Sequence, residues 1–211
     1  MNRATLATTA LALTLGSATL AAATPAGAAG PQVPIKGAAT LCLTPAADQA
    51  LAAQGVELEA TAPATLDTTG PTPCVTTPVT SGAVSLDLAS GGAPMDGALA
   101  FVRTADGRRA DFTELFSHLA TRTITATTAV DHGTPAPVDF LTYTVSVDHV
   151  RVNLSGIDAA GLPMKLAPGG AQTLQEAFGA TPVAVGEPLF TIDGHADLLR
   201  SVLAVPVGLT G

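Results

Sequence analysis

The stretch that decides the fold is TYTVSVDHVRVNL, Thr142 to Leu154. Tyr143, Val145 and Val147 alternate with polar residues, then the phase reverses and Val150, Val152 and Leu154 carry the apolar pattern. Side chains in a strand alternate with a period of two, so the reversal marks an extra residue, a β-bulge or sharp bend at Asp148-His149. A helix would repeat apolar residues every three to four positions, and this segment does not.

Strand signals of the same kind lie on both sides. Leu41 and Leu43 alternate with Thr40 and Cys42; Val84, Leu86 and Leu88 alternate with Ser85 and Asp87. Leu99 and Phe101 lead into a turn at Ala105-Asp106-Gly107, and Ile124, Ala126 and Val130 sit among threonines, which suit a pleated surface. Asp131-His132-Gly133, followed by Pro135 and Pro137, reads as a loop tip. Short strands punctuated by Gly91-Gly92, Gly169-Gly170 and prolines predict a mainly β chain, an antiparallel β-sandwich with two or three short helices. Asp111 to Thr121 is ambiguous: Phe112, Leu115, Phe116 and Leu119 would share a helix face, but a strand pair fits equally.

Two segments resemble each other. Leu43-Thr44-Pro45, then Gln49, Leu51 and Gly55, parallels Leu166-Ala167-Pro168, then Gln172, Leu174 and Gly179. Each reads as strand, helix opened by Pro, Gly stop, strand, with Thr44 as the first N-cap. A pair of equivalent helices plugging the two ends of the sandwich is the expectation.

The N-terminus reads as an address. Met1-Asn2-Arg3 is positive, Ala4 to Ala23 is uncharged and rich in Ala, Leu and Thr, and Ala26-Gly27-Ala28 offers a small-x-small cleavage site. This predicts a signal peptide over 1–28, a flexible linker over 29–37 and one secreted domain over 38–211. Cleavage leaves 183 residues and moves the formal charge from −8 to −9. The remaining cations are dispersed except for Arg108-Arg109, so a nucleic-acid surface is excluded. The apolar tail Leu198 to Leu209 is too short for a membrane span and is broken by Pro206, so no integral membrane segment is expected after signal removal. With six Phe, one Tyr and no Trp, a carbohydrate-stacking groove is disfavoured. Cys42 and Cys74, the only cysteines, are expected to pair as a structural disulfide in an oxidising, extracellular setting.

Chemistry-bearing motifs are few. Asp193, His195 and Asp197 alternate, so an extended chain would line them up as a candidate metal site for zinc or calcium. The competing reading is a polar strand face. Asp131-His132 and Asp148-His149 are neighbours whose side chains diverge on a strand, and no G-x-S-x-G elbow accompanies them. The chain is therefore read as no enzyme.

The segments LCLTPAADQALAAQGVELEATAPA (41–64), PVTSGAVSLDLASGGAPMDGALAFV (78–102) and LPMKLAPGGAQTLQEAFGATPVAVGEPL (162–189) resemble a family of secreted bacterial domains. They are more distantly similar to the haem-transport-associated domains called HtaA. That resemblance covers most of the mature chain. It implies a β-sandwich with small end helices and a haem site made of a tyrosine supported by a histidine. Here the sole tyrosine is Tyr143, and His118 or His149 would be its support. Where the family carries a histidine before the central strand, this chain has Met95-Asp96. The leading expectation is a non-catalytic binding or structural domain without cofactor, its partner an envelope or extracellular ligand. The alternative is a haem or metal carrier.

Overall fold

In the computed structural model, residues 31–153 and 155–198 are described. The expected signal peptide, Leu154 and the tail from 199 onward lie outside them. The strands are β1 (Gln32–Leu43), β2 (Val56–Thr61), β3 (Thr65–Asp67), β4 (Cys74–Val79), β5 (Ala83–Ser85), β6 (Gly91–Met95) and β7 (Ala98–Arg103). They continue with β8 (Arg109–His118), β9 (Thr123–Val130), β10 (Ala136–Tyr143), β11 (Val150–Val152), β12 (Gly156–Leu166) and β13 (Pro188–Leu198). Two helices interrupt them, α1 (Pro45–Ala52) and α2 (Pro168–Phe178). β1 begins at Gln32, so residues 32–37 of the expected linker are strand, paired with β5 and β13.

The mainly β, antiparallel expectation is met, but the two-sheet sandwich is replaced by one sheet that closes on itself. β1, β5, β6, β8, β9, β10, β12 and β13 pair in that order, and β13 returns to β1. Closure satisfies every edge of that eight-strand ring. The remaining strands hang from it: β4 and β3 extend from β1, β7 and β2 from β8, and β11 from β12. Alternation alone separates inside from outside and carries no information on whether a sheet closes, which is why the sequence reading stopped at a sandwich.

Both helices lie at the same end of the ring, not at opposite ends as expected. β1 and β12 each run antiparallel to β13 and each finish beside its start, Leu43 opposite Phe190 and Lys165 opposite Pro188. The helices that follow them therefore emerge together. Thr44 Oγ1 accepts the Ala47 N–H at 3.2 Å, and its hydroxyl donates to the Pro188 carbonyl at 2.9 Å, tying the α1 N-terminus to β13. Gly179 closes α2 in the left-handed conformation, φ +78°. Arg103 and Arg108 donate to the carbonyls of Phe178 and Glu176 in its last turn.

Beneath the helices the core is aromatic. Phe101, Phe112, Phe140 and Phe190 are fully buried; Phe112 stacks on Phe140 with centroids 4.0 Å apart, and Phe101 meets Phe112 edge-on at 5.8 Å. The ambiguous segment 111–121 is strand β8. Its register shifts between Thr113 and Phe116, with Glu114 at φ +51°, so both Phe112 and Leu115 turn inward. That bulge is what made a strand look helical. The reversal in 142–154 is a bend: β10 ends at Tyr143, His149 and Val150 both donate to the Ser146 carbonyl, and β11 then begins. Cys42 and Cys74 face each other directly across β1 and β4 and form the disulfide, S–S 2.10 Å.

Candidate functional site

At the end of the ring away from the helices, aliphatic side chains leave the interior unfilled. An apolar cavity of about 160 Å³ is bounded by Ile35 (β1), Val84 (β5), Leu88, Ile157 (β12) and Ile192 (β13), among others. A second cavity of about 160 Å³ adjoins it and shares Ile35, Ala93, Ser117 and Ile192. The two strand ends that would fill this space carry small residues, Gly92-Ala93 on β6 and Ala159 on β12. Polar side chains on the wall of the first cavity come from Ser117 and Tyr143.

Tyr143 closes β10 and is 7% exposed. Its hydroxyl donates to the backbone carbonyl of His118 at 3.1 Å and lies 3.1 Å from Ser117 Oγ. A phenol has one proton, so with that proton on the carbonyl Ser117 is the donor to the phenol oxygen. Burial raises the Tyr143 pKa above its ordinary value, against the opposing pull of the Ser117 hydrogen bond and the Arg122 charge.

The tyrosine–histidine pair implied by the resemblance is not assembled. Ser117 faces the cavity, so its neighbour His118 points to the other face of β8, where its ring packs against Phe116 at 4.6 Å and Nε2 meets Thr125 Oγ1 at 3.1 Å. Only the carbonyl of His118 reaches Tyr143. His149 sits in the bend after β10, its Nδ1 3.0 Å from the Ala160 carbonyl. The residues of the chain thus do not fit the expected haem ligand set.

Asp193, His195 and Asp197 do share the outer face of β13, all exposed. Its polar groups are taken up by one another and by the neighbouring strand. His195 Nδ1 lies 2.6 Å from Asp158 Oδ1, a residue paired opposite it on β12, and Nε2 lies 3.2 Å from Asp197 Oδ1. With a carboxylate on each nitrogen, the ring favours its protonated form: the hydrogen bonds to Asp158 and then Asp197 raise its pKa above 6.5. Asp193 is drawn elsewhere, accepting the Gly161 N–H at 2.8 Å in the β12 bulge. Among the described residues no group of three or more His, Cys, Asp or Glu is arranged to hold an ion. Apart from Tyr143, the hollow interior gave no sign in the sequence, because Ala, Gly and Ser carry no signal by themselves and only their convergence at one end of the ring creates a space.

No protein-family model matches the sequence, and no curated protein matches it. Two solved structures from Corynebacterium glutamicum are similar in shape. The C-terminal domain of HtaA superposes with a TM-score of 0.55 over 78% of this chain and 99% of its own, at 13% identity. The heme binding protein HtaB aligns over 79% of this chain and 96% of its own, with a TM-score of 0.48 and 12% identity. Among the described residues no helix is long and apolar enough to cross a membrane. The distant likeness to HtaA domains that the sequence suggested is present in the fold of this chain.

Proposed function

We propose that this chain is a non-catalytic binding domain of the cell exterior that holds an apolar organic molecule in the open end of its barrel. The observation that carries the reading is the apolar cavity beside Tyr143 and Ser117 at the end of the ring opposite the helices. Its aliphatic walls favour an apolar guest through removal of surface from water, while two hydroxyls at one side can orient it. The wall carries no paired acid and base or nucleophile–base contact of the kind that bond-breaking needs. The Cys42–Cys74 disulfide and the N-terminal run from Met1 to Ala28 support export to an oxidising compartment.

Haem, the alternative ligand, would require Tyr143 to give up its bond to the His118 carbonyl and would find neither His118 nor His149 beside it. The guest that the cavity suits is therefore an apolar organic molecule without a metal.

Titration with N-phenyl-1-naphthylamine, a neutral dye that brightens in apolar surroundings, tests this. The wild-type chain is expected to bind one equivalent with blue-shifted emission. Ala93→Phe, which places a ring in the space both cavities share, is expected to abolish the signal while leaving the far-ultraviolet circular dichroism unchanged. No enhancement in the wild type, or the same enhancement in folded Ala93→Phe, overturns the reading.

A further inference from the structure

β13 finishes at the open end of the ring. Its last residue, Leu198, pairs with Ile35 on β1, and Ile35 lines both cavities. Residues directly opposite each other in a ladder project to the same face, so Leu198 points inward with Ile35, and it packs against the core. The Leu198 N–H donates to the Ser155 carbonyl at 3.1 Å, which holds the end of β13 beside the start of β12. Ile157 and Ala159 of β12, and Ala196 two residues before Leu198, also line both cavities. The chain therefore passes residue 198 at the edge of the apolar space.

Residues 199–211 read LRSVLAVPVGLTG and lie outside the described residues. Arg200 carries the only side-chain charge, and Val202-Leu203-Ala204-Val205 is an unbroken apolar run ended by Pro206. Such a run is too short to cross a bilayer and loses free energy for every apolar group it leaves in water. An extended chain advances about 3.3–3.6 Å per residue, so Val202 and Leu203 are within about 20 Å of Leu198 and can turn back over the space that Ile35 lines. Each cavity measures about 160 Å³. An apolar space of about 150 Å³ takes in benzene, and so has room for a leucine or valine side chain.

We propose that the chain's own C-terminal segment, residues 202–205, seats its side chains in the adjoining cavities, so that a guest enters the open end by displacing it. A segment tethered a few residues from the site is present at an effective concentration in the millimolar range, which favours it over a free molecule or a second copy. The seating of the segment stands on the ladder register and the composition of the tail. Its competition with a guest rests on the binding reading above.

The test compares the full chain with two double variants, Val202→Asp with Leu203→Asp, and Thr210→Asp with Gly211→Asp, which places the same charge beyond Pro206. In methyl-resolved nuclear magnetic resonance without any guest, the first variant is expected to move the Ile35, Ile157 and Ile192 signals and the second to leave them in place. Signals at those three residues that stay unmoved in the first variant overturn the proposal, whatever the dye does. With N-phenyl-1-naphthylamine, the first variant is expected to bind about 10-fold more tightly than wild type, as when an occupant holds the cavity about nine-tenths of the time. Equal affinity also overturns the proposal. Wild-type signals that shift on dilution place a second copy's tail in the cavity, and flotation of wild type but not of the first variant with phosphatidylcholine vesicles gives the segment to a lipid surface. Either result overturns the assignment. Dye binding to none of the three chains removes the binding reading, while the methyl comparison still decides where the tail sits.

Discussion

Tyr143→Phe removes one oxygen and keeps the ring, so it isolates what the phenol contributes at the cavity wall. Two contacts go, the donation to the His118 carbonyl and the hydrogen bond from Ser117, both 3.1 Å. A buried acceptor left bare costs about 1–3 kcal/mol, and Ser117 can turn its hydroxyl elsewhere, so a loss of about 1–2 kcal/mol is expected. For a domain of this length each kcal/mol moves the midpoint of thermal unfolding by about 2–4 °C, giving a fall of about 2–8 °C. The chain has one tyrosine and no tryptophan, so tyrosinate absorbance reports this residue alone. Its midpoint is expected above 10, the phenol being kept neutral chiefly by burial. The sign follows: a group whose folded pKa is raised stabilises fully below its unfolded value and loses that contribution as pH climbs through the folded one. The stability difference between wild type and Tyr143→Phe is therefore expected to be constant below pH 10 and to shrink above it. A variant as stable as wild type at neutral pH, together with an ordinary phenol midpoint, would refute the placement of Tyr143.

Other perturbations separate the parts of the molecule. Phe140→Ala empties a fully buried site stacked on Phe112 and is expected to cost about 3–5 kcal/mol, read by denaturant unfolding. Cys42→Ala with Cys74→Ala opens a loop of 32-residue separation and is expected to cost about 3–4 kcal/mol, with wild type under reductant showing the same loss. Gly37→Ala would set a Cβ 1.9 Å from the His195 carbonyl oxygen, forcing β1 from β13, and is expected to cost about 3 kcal/mol or more or to prevent folding. In a histidine proton-resonance titration, His195 is expected to have a midpoint above 6.5 that falls in Asp158→Asn, with only a slight effect on stability because the group is exposed.

Much of the local structure was legible from the residues. Thr44 caps α1, Gly179 stops α2, Asp106-Gly107 turns β7 into β8, and the phase reversal after Tyr143 is a bend, each set by a nearest-neighbour rule. What was not legible is non-local. Closure depends on β13 pairing with both β1 and β12, across more than a hundred residues in the first case, and no alternation pattern encodes a partner. The β8 bulge at Glu114 imitated helical spacing for the same reason: the pattern records which residues are buried, and a one-residue register shift changes their spacing.

The candidate site divides in the same way. The Asp193–His195–Asp197 row was placed correctly on one strand face, but Asp158, the residue that engages His195 most closely, comes from β12 and is invisible to a local reading. Tyr143 was singled out as the chain's only tyrosine, yet its partners, Ser117 and the His118 backbone, follow from β8 lying near the end of β10.

The most direct test of the central claim is a methyl-resolved nuclear magnetic resonance titration with N-phenyl-1-naphthylamine. Shifts are expected at Ile35, Val84, Leu88, Ile157 and Ile192, which line the open end, and none at Leu51 or Leu174, which sit on the buried faces of α1 and α2. Shifts confined to the surface groove beside α1, at Ala46, Ala50 and Val183, or no saturable shifts anywhere, would contradict it.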